Sequence, residues 1–400
     1  ALPILERLEQ NGYEAYFVGG CVRDWLLERP VHDIDICTNA LPHEVMRLFP
    51  DHVPTGLKHG TVSVRQGSRL FEVTTYRVEA EYEHHRRPRQ VRFVSDLRTD
   101  LARRDFTINA MGMDRHDRLV DPFGGRKDLN DRLIRAVGDP ATRFREDALR
   151  PLRGARFAAQ LGFAIEPATL RAMEQTAPLL AHIAAERIRE ELGKLLAGAY
   201  PEQGCEVVVR TGLLRAYPLL AAVFQRSRGR IGRIRQLHSP AQKWSFLCFA
   251  AGLSEEQAQQ LAALLRMSKR EQRAIHRYSA LLAALAPRWD QPQPVDWRPL
   301  LLEQGREACF GLAQLLAAIW GGDGGVLQSV ATTYASLPVK SLKELAVTGK
   351  DLQEAFARKA GDWVSRTLQH LLRETALHGL ANRREDLLIA AKKELEKDEH

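Results

Sequence analysis

The sequence predicts an α+β N-terminal part, a small mixed or antiparallel sheet with helices, followed by an all-α remainder. Two observations predict this. Before about Ala141, short β-branched and aromatic runs alternate with brief helical patterns; after it, Leu, Ala, Arg and Glu become frequent and apolar residues recur at spacings of three and four. Punctuation near Tyr200-Pro201, Ser239-Pro240, Pro287–Pro294 and Leu337-Pro338 then cuts the helical part into units of one to three helices. The chain accordingly divides into four parts, 1–138, 139–198, 199–336 and 337–400. No repeat of 20–50 residues is apparent, which argues against a solenoid.

Each element has a local reason. Glu14–Val18 and Asp33–Cys37 read as short strands flanking a helix over Val22–Leu27. Thr61–Val64 and Leu70–Tyr76, separated by Arg65-Gln66-Gly67-Ser68, read as a hairpin. Phe106, Ile108 and Ala110 alternate with Thr107 and Asn109, the pattern of a strand with one buried face. A helix beginning at Arg143 places Asp147, Arg150 and Arg153 within an arc of about 120°, opposite Ala148, Leu152 and Ala155. Pro151 falls inside that helix, where it removes a hydrogen bond to Asp147 and costs roughly 3 kcal/mol unless the helix bends. On ideal indexing Arg156 lands on the apolar side. The closing AAKKELEKDEH is charged and is expected to fray at its end.

Composition narrows the class of molecule. A chain of 400 residues, 44% apolar and 27% charged, is ordinary for a soluble globular protein with ample material for packed cores. A formal charge of +8 and a pI near 9.3 fit a polyanionic partner. The five cysteines, Cys21, Cys37, Cys205, Cys248 and Cys309, are odd in number and lack C-x-x-C spacing. They point to reduced thiols in a cytoplasmic protein rather than to disulfides or zinc. No signal peptide and no run of eighteen apolar residues is visible, and the first residue, Ala1, suggests a trimmed initiator end.

The chemistry concentrates in YFVGGCVRDWLLERPVHDIDICTNALPHEV, Tyr16 to Val45. Two carboxylates at i and i+2 on a strand project from one face, and their repulsion makes a divalent cation a favourable third party. A glycine-rich turn beside them lets phosphate oxygens approach backbone N–H groups. Gly19, Gly20, Arg23 and the Asp33/Asp35 pair together suggest a triphosphate held with metal. Glu72, on the second hairpin strand, is a candidate third carboxylate for a pair of metal ions about 3.5–4 Å apart that would hold the attacking and leaving oxygens of a displacement at phosphorus. The alternative is an exposed strand glutamate.

The combined string resembles the signature of the class II nucleotidyltransferases, the tRNA CCA-adding enzymes and bacterial poly(A) polymerases. These carry G-G-x-V-R-D-x-L-L followed by D-x-D, matched here by Gly19, Gly20, Val22, Arg23, Asp24, Leu26, Leu27, Asp33 and Asp35. The run DLARRDFTINAMGMD resembles the family's second motif, which implies that Arg104 and Asp105 contact ribose. Residues Glu146, Asp147 and Arg150 match E-D-x-x-R, which implies a protein template for the base. An Asp accepts from the amino group of cytosine or adenine and an Arg donates to the ring nitrogen of either, so one pair admits CTP and ATP. Arg153 and Arg156 would add positive charge toward the triphosphate. Glu186, Arg187 and Glu190 match a last neck motif and are expected to brace rather than touch substrate.

The resemblance thus implies an elongated molecule: a nucleotidyltransferase head, a base-reading neck, and a body and tail that bind tRNA. It also implies Mg2+ at Asp33 and Asp35, and homodimerisation. From Val207 to Ser254 no acid occurs among eight basic residues, five of them Arg226, Arg228, Arg230, Arg233 and Arg235. That stretch reads either as a surface for RNA phosphates or as a flexible basic loop. FPDHVPTGLKHGTVSV and ASLPVKSLKELAVTGKDL resemble Gram-positive-type CCA-adding enzymes, whereas the Arg/Lys-Arg/Lys-Phe element of the polymerases is absent. The loop Glu79–Val91, with Arg86-Arg87-Pro88 matching, argues against a CC-adding form, and an A-adding form stays open. His84 and His85 stand where the family often has Asp-Gly.

Overall fold

The computed structural model describes residues 1–31, 33–54, 56–83, 87–286, 289–322 and 325–397, leaving aside the side chains of 79–91. His84, His85 and Arg86 of the matched loop therefore lie outside the described residues. Contacts separate the chain into two units. One comprises 1–235, 250–252 and 260–268, the other 236–249, 253–259 and 269–400.

The first unit opens with α1 (Leu2–Gln10), a helix the sequence pattern did not single out, which buries Ile4, Leu5 and Leu8. There follow β1 (Ala15–Val18), α2 (Gly20–Leu26), β2 (Asp35–Thr38), α3 (Pro42–Leu48), β3 (His52–Val53), β4 (Thr61–Gln66) and β5 (Arg69–Thr75). Next come β6 (Arg77–Glu83), β7 (Arg87–Phe93), α4 (Leu97–Ala102), β8 (Gly112–Met113), β9 (Leu119–Val120) and α5 (Gly125–Asn130). Seven strands form one mixed sheet in the order β3-β4-β5-β2-β1-β8-β9. Only β2 and β5 run parallel in it. The predicted hairpin is β4–β5, with a tighter turn than expected: Gln66 pairs with Arg69, leaving only Gly67 and Ser68 to reverse the chain. Gly67 takes φ 62°, the left-handed conformation such a two-residue turn needs. β6 and β7 pair only with each other, so the stretch matched to a loop has the backbone of an antiparallel ribbon.

Two predictions are corrected at this level. The first concerns the strand Asp33–Cys37, which begins only at Asp35. Asp35 is where pairing becomes possible, opposite Val18 on one side and Glu72 on the other, because Gly19 turns β1 away with φ 76°. The second concerns Phe106–Ala110, which is a 3-10 turn over Thr107–Asn109, not a strand. Asp105 through Ala110 are all buried, so the alternation in the sequence marks no face. Side-chain bonds hold the turn. Thr107 Oγ1 donates to Asp128 at 2.6 Å and Asn109 Nδ2 to Asp105 at 3.2 Å.

The helical part of this unit begins after β10 (Leu133–Ile134). It contains α6 (Pro140–Glu146), α7 (Arg150–Leu161), β11 (Ala164–Ile165), α8 (Pro167–Thr176), α9 (Ala185–Leu196), α10 (Pro201–Thr211) and α11 (Pro218–Ser227). Small residues let these helices meet closely. A Cβ on Gly204 of α10 would lie 2.8 Å from the Ala155 carbonyl oxygen of α7. The second unit is built around the helix Arg306–Trp320, nearly every residue of which is buried, with Trp297–Gln304 and Gly325–Ser336 packed on it. All five cysteines are buried free thiols, as their spacing predicts. No helix among the described residues is long and apolar enough to cross a membrane.

Gly125 at the start of α5 provides a test of the packing. A Cβ there would lie 2.3 Å from the Thr107 carbonyl oxygen and 2.9 Å from Met111. Gly125→Ala is expected to destabilise the protein by about 1–3 kcal/mol in urea unfolding. An unchanged midpoint would show that α5 does not press on the 3-10 turn.

Candidate active site

A cavity of about 730 Å³ lies in the first unit between the sheet and α7. Of the residues predicted to serve catalysis or nucleotide binding, the cavity is lined by Gly19, Gly20, Arg23, Asp33, Asp35, Arg104, Asp105, Asp147, Arg150, Arg153 and Arg156. Glu72 alone does not line it. Its Cα is paired with that of Asp35 across the ladder, but the side chain is exposed. Among the described residues no three His, Cys, Asp or Glu side chains converge as metal ligands, so the carboxylate trio is not assembled. The reason is local: Asp33 precedes β2 in coil and so does not share the ladder that aligns Asp35 with Glu72.

The acids of the cavity fall into two kinds. Asp24 is chelated by its neighbour Arg23, whose Nε and Nη2 donate at 2.9 and 2.8 Å. Asp105 is paired with Arg153 at 2.7 Å and Asp147 with Arg187 at 3.4 Å. Asp33 and Asp35 have no ion pair among the described residues, and both are exposed to the cavity. Protein packed around Asp35 pushes its carboxyl up, Arg104 opposes this, and the charge of Asp33 adds to it. Two unpaired carboxylates that destabilise one another are a donor set suited to a hard cation.

Gly19 belongs here for two reasons. Its φ of 76° is a left-handed conformation, and a Cβ would lie 2.9 Å from Arg104 Nη1. Gly20 is different, because its nearest neighbour in that test is Arg23 Nη2 at an ordinary 3.6 Å. No protein contact among the described residues therefore requires Gly20 to lack a side chain. Arg23 is held rigidly, since its Nη1 also donates to Asn109 Oδ1 at 2.8 Å.

The second motif supplies one available group and one occupied one. Asp105 is buried, and its Oδ1 accepts from the Phe106 N–H at 2.8 Å and from Asn109. Arg153 is ion-paired with its other oxygen, which accepts no hydrogen bond of ordinary geometry, and the guanidinium helps hold the carboxylate below the usual carboxylate range despite burial. Arg104 is looser. Its Nε is buried without a partner, and its Nη2 reaches Asp100 only at 3.5 Å.

The base-reading helix is corrected by the structure. α6 ends at Glu146, Asp147 is extended at φ −131° and ψ 105°, and α7 starts at Arg150. Pro151 is therefore not interior. It occupies the first turn of a new helix, where its missing N–H has no intrahelical role and its fixed φ is favourable. Asp147 Oδ1 accepts the Leu149 N–H at 3.1 Å. Arg150 is buried, its Nη1 donating to the Arg143 carbonyl at 2.9 Å and to Glu146 at 2.6 Å, and its Nη2 to the Arg103 carbonyl at 2.9 Å. Its Nε–H and one Nη2–H carry no such bond. Arg156 is buried as indexing implied, yet charged: it pairs with Glu191 at 3.1 Å and lies 4.3 Å over the Phe157 ring.

Several residues of the cavity escaped the sequence reading. Glu191, one position beyond the predicted Glu190, is the buried partner of Arg156, while the exposed Lys194 one turn further lines the cavity. Their i, i+3 spacing on α9 was the available signal. Asn109 stands inside the second motif without an assigned role, and Asp100 lies at its flank. Of the neck motif, Glu186 pairs with Arg266 at 2.8 Å and Arg187 with Asp147, both bracing contacts. In the basic stretch, Arg228 pairs with Glu206 at 2.8 Å, Arg235 with Glu202, and Arg226 donates to the Ala251 carbonyl at 3.3 Å. Acids just upstream of the acid-free run thus neutralise two of the five arginines; Arg230 and Arg233 complete the run.

Residues 15–135 match a family model described as the Poly A polymerase head domain. Residues 162–224 match one described as a probable RNA and SrmB-binding site of polymerase A, and residues 235–391 one described as a putative tRNA nucleotidyltransferase domain 2. The chain is 42% identical over 388 residues to the CCA-adding enzyme of Geobacillus stearothermophilus, covering 96% of this chain and 94% of that one. This chain belongs to the CCA-adding enzyme family. It is also 40% identical over 394 residues to the CCA-adding enzyme of Bacillus mycoides (strain KBAB4), covering 97% and 96% of the two. The crystal structure of the Bacillus stearothermophilus CCA-adding enzyme in complex with CTP matches with a TM-score of 0.89 at 37% identity, over 100% of this chain and 97% of that one. The chain is thus a nucleotidyltransferase, of a family whose members are generally metal-dependent.

The raised Asp35 carboxyl gives a signed prediction. A carboxyl raised in the folded state is destabilised by ionising, so stability falls as pH rises through its folded value. Asp35→Asn removes that charge and is expected to raise the melting temperature of the metal-free protein by about 2–4 °C at neutral pH. The gain should vanish at acid pH, where Asp35 is itself protonated. A melting temperature that falls at neutral pH would contradict the argument that burial, with repulsion from Asp33, disfavours the Asp35 charge.

Proposed function

We propose that this chain adds CCA to the 3′ end of tRNA without a nucleic-acid template, using CTP and ATP and releasing pyrophosphate. The observation that carries this reading is the segregation of charge in the cavity. Every other acid lining it is ion-paired, while Asp33 and Asp35 have no ion pair among the described residues and stand beside Gly20 and a wall of arginines. The identity to CCA-adding enzymes over nearly the whole chain supports the substrate assignment. The bound CTP of the stearothermophilus structure supports it further.

In the proposed reaction the terminal 3′-hydroxyl oxygen of tRNA attacks the α-phosphorus of the nucleotide. A new P–O bond forms, the bond to the bridging oxygen of the β-phosphate breaks, and the hydroxyl proton is lost. Asp33 and Asp35 would hold Mg2+, the cation best matched to hard carboxylate and phosphate oxygens. When bound, it supplies neutralisation of charge on the attacking and leaving oxygens. The chain's own groups do the rest. Gly19 and Gly20 admit the triphosphate to the backbone, and Arg23, Arg153 and Arg156 set a positive field around it. Arg104, which lines the cavity and is held only weakly by Asp100, is the available donor to the sugar. Asp105, buried and ion-paired with Arg153, is assigned to holding that guanidinium.

Base choice is assigned to Asp147 and Arg150. Asp147 accepts from the exocyclic amino group, and the two unengaged N–H groups of Arg150 donate to the ring nitrogen or, for cytosine, the adjacent carbonyl. Uracil and guanine present a carbonyl where the amino group is required and are refused. This reading assigns 1–138 to the head, 139–198 to the neck, and 199–336 and 337–400 to a body and tail that hold tRNA. Residues Arg226 to Arg235 contribute phosphate contacts. The buried free cysteines support a cytoplasmic site of action.

Purified protein, labelled CTP or ATP, and tRNA transcripts ending before, within and after CC provide the test. CC followed by a single A is expected. Incorporation of ATP alone would indicate an A-adding enzyme, of CTP alone a CC-adding one, and long adenylate tails on unstructured RNA a poly(A) polymerase. Asp33→Ala and Asp35→Ala are each expected to lower incorporation at least about 10³-fold while tRNA affinity stays within about twofold. Near-normal incorporation by either variant would overturn the metal assignment.

A further inference from the structure

Asp100 is 1% exposed and has no part in the reaction as described so far. It stands in α4, and its carboxylate meets three donors. Oδ1 accepts from Arg103 Nε at 2.9 Å and from the Arg77 backbone N–H at 3.2 Å, while Oδ2 accepts from Arg104 Nη2 at 3.5 Å. All three donor residues line the active cavity. Arg77 is also the first residue of β6, the root of the β6–β7 ribbon.

The bonds are unequal. Those to Arg103 and to the ribbon are of ordinary length, whereas the one to Arg104 is at the limit of a hydrogen bond. Arg104 is also the guanidinium with a buried, unpartnered Nε, and its Nη1 lies nearest the space that a Cβ on Gly19 would fill. Among the described residues its one hydrogen-bonded carboxylate is the buried Asp100, while Asp35 attracts it only through space. An isolated buried carboxylate is costly, so Asp100 stays where its donors are, and the donors stay with it.

We propose that Asp100 is the positioning residue that aims Arg104 at the nucleotide sugar, so that preference for ribonucleotides is set through a side chain that never touches substrate. This rests on the proposed reading of the cavity as a CTP and ATP site. The same carboxylate ties the start of the β6–β7 ribbon to the sugar-reading arginine.

Asp100→Asn tests this selectively. An asparagine keeps one acceptor oxygen, which the stronger pair of donors, Arg103 and the Arg77 N–H, will claim. Its amide NH₂ is then turned toward Arg104 Nη2, donor against donor, so Arg104 is released while the ribbon and Arg103 remain held. In steady-state assays on tRNA lacking its terminal nucleotides, KM for CTP is expected to rise about tenfold and KM for 2′-deoxy-CTP to change less than twofold, with kcat within about threefold. A loss of packing alone would move both nucleotides together, and that result overturns the proposal, as does an unchanged ratio.

In an Arg104→Met background the Asp100→Asn change should shift the ratio no further. If Asp100→Asn does not fold, Arg103→Met tests the same carboxylate from its other side. Freed of Arg103, Asp100 holds Arg104 more strongly, so the CTP preference should hold within twofold or rise, and a tenfold fall overturns the proposal. Wild-type protein that incorporates neither nucleotide would instead overturn the functional reading.

Discussion

The pairing of cavity guanidiniums with carboxylates is the interaction on which the rest of the site depends. Arg23, Arg77, Arg103, Arg104, Arg150, Arg153, Arg156 and Lys194 all line one cavity of about 730 Å³. Cations at that density repel, and several of them are buried, so each needs a local counter-charge to stay folded inward. Asp24 holds Arg23, Asp100 holds Arg103 and Arg104, Glu146 holds Arg150, Asp105 holds Arg153 and Glu191 holds Arg156. Burial pushes the Arg156 guanidinium down and Glu191 pulls it back, whereas the charge of Asp105 outweighs burial at Arg153. The result is a set of donors fixed before any substrate arrives, which is the condition for electrostatic stabilisation without reorganisation.

Against that background the two unpaired carboxylates acquire meaning. An acid in a field of arginines is normally captured by one of them, as Asp147 is by Arg187. Asp33 escapes because it precedes the strand. Asp35 escapes because the ladder fixes its backbone between Val18 and Glu72, out of ion-pair reach of the guanidiniums. Burial is the main reason the Asp35 carboxyl is raised; the attraction of Arg104 opposes it and the repulsion from Asp33 adds the smallest part. The pair is stable enough to fold and unstable enough to favour a cation.

What could be read in advance follows from how local each signal is. The hairpin β4–β5 was legible because period-two runs and a Gly turn act within a dozen residues. The cavity residues were legible because they lie in three compact motifs. The partners of those residues were not, since Arg156 meets Glu191 and Asp147 meets Arg187 across helices that only the fold brings together. The strand at Phe106–Ala110 failed for a related reason. Its alternation is real, but Asp105, Asp128 and Arg23 all bond its polar side chains, and tertiary partners overrode the pattern. Pro151 carried the right signal, a helix start, while the spacing of Asp147, Arg150 and Arg153 imitated one continuous helix. Glu72 shows the limit of register arguments: a side chain can sit beside a catalytic candidate on the ladder and still face solvent.

The break between α6 and α7 bears on specificity. Under the proposed reading, acceptor and donor of the protein template stand on opposite sides of that break rather than on one rigid helix. They are anchored differently. Asp147 is tied to α9 through Arg187, while Arg150 is tied to α6 through Glu146 and the Arg143 carbonyl, and to the end of α4 through the Arg103 carbonyl. A template on an unbroken helix would present one fixed distance between its two groups. Here separate anchors on α9, on α6 and at the end of α4 set that distance, and the Arg150 N–H donates to the Asp147 carbonyl at 3.0 Å across the break. The first-turn position of Pro151 permits the break without loss of a helical hydrogen bond, so the two groups are placed by tertiary partners rather than by helix geometry.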